Sequence, residues 1–282
     1  MNIFLTGGTG FIGSHLLLAL GKQKHTVIAL RRSRSKPCIN IGQEPMWCEK
    51  SMDKLELSDF YGIDVFVHLA SVGVSPKSAT LNELYYWNVL VMLNLLVKAH
   101  AAGVKRFILA GSFAEYGLSA DKYDYIPTDA PLLPTSSYAA SKAAGFIAAN
   151  AFAFENKIEL CYLRIFSAYG EGQYINNFWP SLRAAALSGE DFFMTPGQQI
   201  RDFIQVELVA KSIINSIEDQ SLVKKGIPYI ANVGTGNPAT MLDFAEKCWA
   251  DWGAKGRIIA GAKSYRANEP MRFVPLIVKA VI

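Results

Sequence analysis

Long uninterrupted apolar runs are absent from this chain. Nowhere do about 18 apolar residues follow one another, the length that a bilayer-spanning helix needs, although 51% of the 282 residues are hydrophobic. A membrane is therefore not expected as a partner. The N-terminus shows no basic stretch leading into an apolar one, the pattern of a secretory leader, and enters a strand-like segment at once, so a cytoplasmic protein is expected. Cysteine is scarce. The four present, Cys38, Cys48, Cys161 and Cys248, make no Cys-x-x-Cys pair and no metal-ligand spacing, so reduced thiols are expected rather than disulfides or zinc. Charge of one sign is also missing: 28 Lys and Arg against 24 Asp and Glu give a net charge of +4. The one basic cluster is Arg31-Arg32-Ser33-Arg34-Ser35-Lys36, too local to form a face for nucleic acid.

What the chain does have is alternation. Short apolar runs at Ile3–Leu5, His25–Leu30, Val65–Leu69, Arg106–Ala110 and Leu160–Ile165 read as strands. Between them Gly13–Leu20, Leu81–Ala102 and Ser137–Glu155 carry apolar residues at helical spacing. Strand and helix in turn build βαβ units, whose right-handed crossovers put helices on both faces of a doubly wound parallel sheet. After about Phe166 the alternation gives way to Gly-, Pro- and aromatic-rich pieces such as Tyr169–Pro180 and Met194–Asp202, which suit a cleft-lining subdomain.

Thr6-Gly7-Gly8-Thr9-Gly10-Phe11-Ile12-Gly13 follows the first strand and opens a helix. In that context the glycines allow a dinucleotide pyrophosphate to approach backbone N–H groups at the helix start, so Gly7, Gly10, Phe11, Ile12 and Gly13 are expected to bind a cofactor. The plainer reading is a tight strand-to-helix turn. The α/β class is thus that of a Rossmann sheet. Residues 1–165 are expected to form it, with a returning segment around 199–235, while 166–198 and 236–282 make a smaller C-terminal substrate-binding subdomain. The second strand ends in Arg31 and Arg32 where an NAD-binding version usually carries an acidic residue for the ribose. Two guanidiniums there suit a 2′-phosphate, so NADP(H) is expected, with NAD as the alternative if the arginines only cap a solvated strand end.

Tyr138-Ala139-Ala140-Ser141-Lys142 places a phenol and an ammonium one helical turn apart. A cation beside Tyr138 favours phenolate and would make it an acid/base usable near neutral pH. Such a pair is ordinary on an amphipathic helix. Its context is not: Ser112 stands just past a strand, at the edge where α/β sheets place their sites, and can polarise a substrate oxygen.

The glycine string, His68-Leu69-Ala70, Asn88 ahead of Asn94-Leu95-Leu96, Ser112 four before Tyr116-Gly117, and the Tyr138/Lys142 pair resemble the extended short-chain dehydrogenase/reductases. These are nucleotide-sugar epimerases, dehydratases and reductases. Arg164-Ile165-Phe166, Tyr169-Gly170, Asn176-Asn177-Phe178, Arg201-Asp202-Phe203-Ile204, Asn232-Val233-Gly234-Thr235-Gly236 and Arg266 with Glu269 extend the likeness over nearly the whole chain. Two positions depart from it, Ser167 where relatives carry asparagine and Glu207 where they carry aspartate.

The resemblance implies Ser112, Tyr138 and Lys142 as catalytic residues. It adds Leu69, Ala70, Asn88, Tyr138 and Lys142 to the cofactor site, and Ser112, Asn177, Arg201 and Arg266 to the site of a nucleotide-sugar diphosphate. The plainer reading of each arginine is an ion pair with Asp202 or Glu269. Phe178 or Trp179 could stack on a base, although most of the large aromatics read as packing. The Ala-rich helices around Asn88 and Tyr138 imply a two-fold homodimer.

Absences narrow the reaction. Dehydratases of this type carry an Asp-Glu pair where Phe113 and Ala114 stand. GDP-fucose synthase-like epimerases carry a cysteine at Ala114 and a histidine within Glu171-Gly172-Gln173. Simple 4-ketoreduction of a nucleotide-linked 4-keto-6-deoxyhexose, or NAD-dependent 4-epimerisation, needs only the shared trio. Arg31 and Arg32 favour the NADPH-using reductase. A non-catalytic cofactor sensor of the same fold has no need of the trio.

Overall fold

The computed structural model describes residues 1–265 and 270–277. Its first half runs β1 (Asn2–Thr6), α1 (Phe11–Leu20), β2 (Thr26–Arg31), β3 (Met46–Glu49), β4 (Val65–His68), α2 (Leu81–Tyr85), α3 (Met92–Ala101), β5 (Arg106–Ser112) and α4 (Ser137–Asn156). Its second half continues with β6 (Glu159–Ile165), β7 (Ser167–Tyr169), α5 (Phe178–Ser188), β8 (Phe192–Phe193), β9 (Ile200–Gln205) and α6 (Val206–Glu218). The last elements are β10 (Tyr229–Val233), β11 (Pro238–Thr240), α7 (Met241–Asp251), β12 (Ile258–Ile259) and β13 (Arg272–Phe273).

Seven strands form one sheet in the order β3-β2-β1-β4-β5-β6-β10, every neighbouring pair parallel. Both faces must be covered, because its strands are apolar throughout. Side chains alternate across the pleat. Ile3, Leu5, Val65, Val67 and Ile108 face Leu16, Leu17 and Leu20 of α1 and Val209, Ile213 and Ile217 of α6. Phe4, Phe66, Phe107 and Leu160 face Leu95 and Ala99 of α3 and Ala149 and Ala153 of α4. Full burial of each large apolar chain contributes about 1.5–3 kcal/mol, so these two layers dominate the stability of the molecule. The strand order reverses between β1 and β4, which opens a crevice at their carboxyl ends.

β9 is the centre of a second, small sheet. It pairs with β11 antiparallel and with β13 and β7 parallel. Leu182 and Ala186 of α5 pack there against Phe244, Ala245 and Trp249 of α7.

The expected returning segment around 199–235 divides: β9 joins the small sheet, while α6 and β10 complete the large one. Strands β3 and β10, each short, were not among the expected strands. The stretch Leu81–Ala102 is not one regular helix, since a π-helical segment over Tyr86–Val91 separates α2 from α3. Among the described residues no helix is long and apolar enough to cross a membrane, and no group of three or more His, Cys, Asp or Glu is arranged to hold a metal.

Candidate active site

The glycine string bends from β1 into α1 beside the end of β4. Gly7 has φ +78°, and a Cβ there would meet Ala70 N at 2.7 Å, so only glycine fits. Gly13 is as constrained, because its Cβ would meet Gly7 O at 2.1 Å. Leu69 N donates to Thr6 O at 3.2 Å, which ties the β4 end to the same turn. Gly10 caps α1 with no side chain, so the first N–H groups of the helix face outward at its positive end. This cradle of Gly7, Gly10, Phe11, Ile12 and Gly13 beside Leu69 and Ala70 fits a dinucleotide pyrophosphate. Arg31 at the end of β2 is engaged within the protein. Its Nε donates to Glu49 Oε1 at 2.9 Å and its guanidinium lies 4.8 Å over the Trp47 ring, while Arg32 is exposed.

His68 lies beneath the cradle, buried, with Nδ1 2.8 Å from Thr6 Oγ1. Burial, with the nearby Lys142 ammonium, lowers its pKa from 6.5 to about 3. Folded His68 is therefore neutral at pH values where the unfolded chain takes up a proton. Its contribution to stability is complete above 6.5 and is lost as the pH falls toward about 3. Urea midpoints are expected to fall as the pH drops below 6.5, and less steeply in His68→Asn. Equal slopes in both proteins would remove His68 as the source.

Ser112, Tyr138 and Lys142 converge at the carboxyl edge of β5. Lys142 is buried and its Nζ donates to Ala110 O at 2.6 Å. Desolvation lowers the Lys142 pKa, and Glu115 opposes that shift. The Tyr138 phenol moves the other way from expectation: burial pushes its pKa up to about 12, Glu115 adds to the rise, and hydrogen bonds with Ser112 and Ser71 oppose it. Desolvation of phenolate outweighs the helical spacing from which proximity was inferred.

Asn88 is held by hydrogen bonds within the protein. Its Oδ1 accepts from Ser71 Oγ (3.1 Å) and Val72 N (3.0 Å), and its Nδ2 donates to Val72 O (3.2 Å) and Ser141 Oγ (3.0 Å). An amide has two donors and two acceptor sites, so Asn88 is saturated within the protein. It positions the Ser71 loop against Tyr138. The π-helical segment brings it there, and Gly145 of α4 permits the approach, since a Cβ on it would meet Asn88 O at 2.8 Å.

Behind the trio sits a buried charge network. Glu115, with no exposed surface, accepts from Ser112 N (2.7 Å), Tyr162 OH (2.8 Å) and Arg164 Nε (2.9 Å). Arg164 also donates to Tyr116 OH (3.0 Å) and Thr128 O (2.8 Å) and lies over the rings of Tyr116, Phe146 and Tyr162. Tyr116 OH donates in turn to Asn232 Oδ1 at 2.7 Å. Every partner is satisfied, as a buried ion pair requires. Gly117, at φ +51°, leaves room for Leu133 O only because it has no Cβ.

The sequence profile of the NAD dependent epimerase/dehydratase family matches residues 3–234. The chain belongs to that family. CDP-abequose synthase of Salmonella muenchen is 28% identical over 282 residues, spanning 95% of this chain and 87% of the relative. Among solved structures, MoeE5 in complex with UDP-glucuronic acid and NAD superposes with a TM-score of 0.85 at 27% identity, covering 99% of this chain and 91% of that one. UDP-N-acetylglucosamine 4-epimerase from Methanobrevibacter ruminantium M1 in complex with UDP-N-acetylmuramic acid gives 0.88 at 25%, covering 98% and 89%. The protein is thus an enzyme of the extended short-chain dehydrogenase/reductase type.

In this family member the expected substrate residues are more dispersed than the trio. Asn177 is half-buried at the start of α5, where its side chain does not cap the helix. Arg201 is buried on β9, with Nη1 donating to Ile200 O (2.9 Å) and Nη2 to Pro270 O (2.7 Å). Its guanidinium lies 5.5 Å from the Phe273 ring, which touches Phe113, the residue after Ser112. Asp202 is spoken for by Thr235 and Asn237, whose backbone N–H groups donate to it at 2.8–3.1 Å. Arg266 and Glu269 lie outside the described residues. Phe178 and Trp179 pack against the α5/α7 core, with Trp179 edge-on to Trp252.

Sequence reasoning missed Glu115, Ser71 and His15. Glu115 had a signal: Ser112-Phe113-Ala114-Glu115 is a capping-box pattern, and the structure forms it. His15 of α1 contacts Glu171 O through Nε2 (2.9 Å) and Glu207 Oε1 through Nδ1 (3.5 Å), joining the cradle helix to the second half of the chain.

Proposed function

We propose that this enzyme is an NADP(H)-dependent 4-ketoreductase of a nucleotide-linked 4-keto-6-deoxyhexose. The observation that carries the reading is a Tyr138 phenol held protonated beside Ser112, while Glu115, the one acid in the turn that follows, is spent on Ser112 N, Tyr162 OH and Arg164 Nε. Phe113 instead joins an aromatic cluster with Phe166 and Phe273, so no group stands there to expel a hydroxyl as a dehydratase must. Hydride delivery to a carbonyl carbon is the chemistry a bound nicotinamide supplies.

The residues of the chain do the rest. Ser112 Oγ hydrogen-bonds the carbonyl oxygen, and as C4 becomes tetrahedral Tyr138 gives its proton to that oxygen, which leaves a hydroxyl on the sugar and a phenolate on the enzyme. Lys142 has three donors and spends one on Ala110 O. The others can reach the nicotinamide ribose. Asn177, Arg201 and Arg266 are proposed to take the diphosphate of the sugar nucleotide.

The second reading, an NAD-dependent 4-epimerase, draws on the engagement of Arg31 by Glu49 and on the 4-epimerase among the structural neighbours. Oxidation of NADPH by the purified enzyme with a nucleotide-linked 4-keto-6-deoxyhexose is the expected result, followed by nicotinamide absorbance. Copurifying NAD and interconversion of two sugars without net redox would replace the reductase by the epimerase.

The reading includes a homodimer. Leu90, Val97, Ile147 and Phe154 are exposed on the π-helical segment, α3 and α4. Apolar side chains grouped in this way commonly mark an interaction face.

A further inference from the structure

We propose that Glu49, at the end of β3, is the residue that tunes the choice between NADPH and NADH, and that Arg32 rather than Arg31 is the cation open to a 2′-phosphate. The inference rests on the NADP(H) reading above and deepens it. In a sheet of this kind the adenosine ribose lies at the carboxyl end of β2, which is where Arg31 and Arg32 stand. The β2–β3 register pairs Arg31 with Glu49 and Ala29 with Trp47. Trp47 and Glu49 are two residues apart on a strand and so share one face. That face holds the Arg31 side chain twice, by the ring beneath the guanidinium at 4.8 Å and by the carboxylate on Nε at 2.9 Å.

The acidic residue that an NAD-type site carries on β2 is thus supplied here from the neighbouring strand, already joined to a cation. A 2′-phosphate would have to share Arg31 with Glu49 and would meet a like charge beside it, which disfavours it relative to a hydroxyl. A ribose hydroxyl could donate to the same carboxylate. Arg32 is exposed and follows directly, so it can meet a phosphate without breaking this arrangement. The Arg31–Glu49 pair is itself partly exposed, 27% and 46%. It is therefore a weak, adjustable contact rather than a strut of the fold.

The test is direct binding, by quenching of intrinsic tryptophan fluorescence, with NADPH and NADH titrated separately into the full chain and into Glu49→Gln, Arg31→Ala and Arg32→Ala. Glu49→Gln is expected to tighten NADPH about fivefold, the ratio an exposed charge pair carries, and to leave NADH unchanged or slightly weaker. Arg32→Ala is expected to weaken NADPH more than Arg31→Ala does. An unchanged NADPH-to-NADH ratio in Glu49→Gln, with the arginine variants still losing NADPH, overturns the role of Glu49 and leaves the NADP(H) reading standing. A wild type that binds only NADH defeats that reading. Gain of NADPH binding by Glu49→Gln in that background would still uphold Glu49 as the tuning residue.

Discussion

Tyr138→Phe is expected to reduce turnover by about 10²- to 10⁴-fold, the usual worth of a positioned general acid, without loss of fold or of cofactor binding. The variant removes one hydroxyl from a half-buried ring whose neighbours, Ser112 and Ser71, can still hydrogen-bond elsewhere. The pH dependence carries a sign that separates proton donation from simple positioning. With its pKa pushed up to about 12 by burial, Tyr138 stays protonated through neutral and mildly alkaline pH. Ketoreduction, which consumes that proton, should keep a level rate as the pH rises and decline only toward the phenol pKa. The reverse oxidation, which needs the phenolate, should speed up with pH over the same range. Steady-state rates in both directions, with circular dichroism melts of the variant, check this. A Tyr138→Phe enzyme that retains most of its turnover would remove the phenol from the chemistry.

Glu115→Gln is expected to destabilise the fold by about 3–5 kcal/mol, because it leaves a buried guanidinium without its counter-ion. Arg164 is 1% exposed and cannot turn to water. A loss of that size lowers the melting temperature by on the order of 10 °C in a chain of this length. Pairing the change with Arg164→Met should restore part of the loss, since an apolar replacement of both partners removes the stranded charge along with the bond. Calorimetric or urea unfolding of the single and double variants measures the difference. Full additivity of the two single losses would mean that the pair is not coupled. The same carboxylate anchors Ser112 N, so the single variant should also lower turnover at temperatures where it remains folded.

Parts of this site were legible because their chemistry is local in sequence. A glycine that must approach the backbone closely, or an acid four residues ahead of an ammonium, leaves its mark within one turn of chain. Gly7, Gly13, Ser112, Tyr138 and Lys142 all stand at the carboxyl edge where their spacing put them. Asn88 and Arg31 were legible as positions, but not the partners that hold their side chains. The saturation of Asn88 depends on Ser71, Val72 and Ser141, which reach it from a different loop and a different helix. The engagement of Arg31 depends on the register of β3, an edge strand of four residues that apolar periodicity does not mark.

The pKa of Tyr138 was misjudged for a related reason. Sequence spacing reports which charges are near, whereas desolvation is set by everything that excludes water, and here desolvation is the larger cause. Tyr116, Arg164 and Asn232, which the sequence shows only as separate motif residues, form one buried network. Three residues separated by tens of positions show that relation only when β5, β6 and β10 lie side by side.

By itself the sequence determined the class of the fold, the tight glycine turn from strand to helix and the placement of Ser112, Tyr138 and Lys142 at one sheet edge, because alternation, glycine geometry and helical spacing are properties of neighbouring residues. Tertiary structure alone decided which charges are spent on one another, which amide is free to meet a ligand and in which direction a buried group titrates. Those outcomes depend on strand register and on the exclusion of water, and both arise only when segments distant in the chain are packed together.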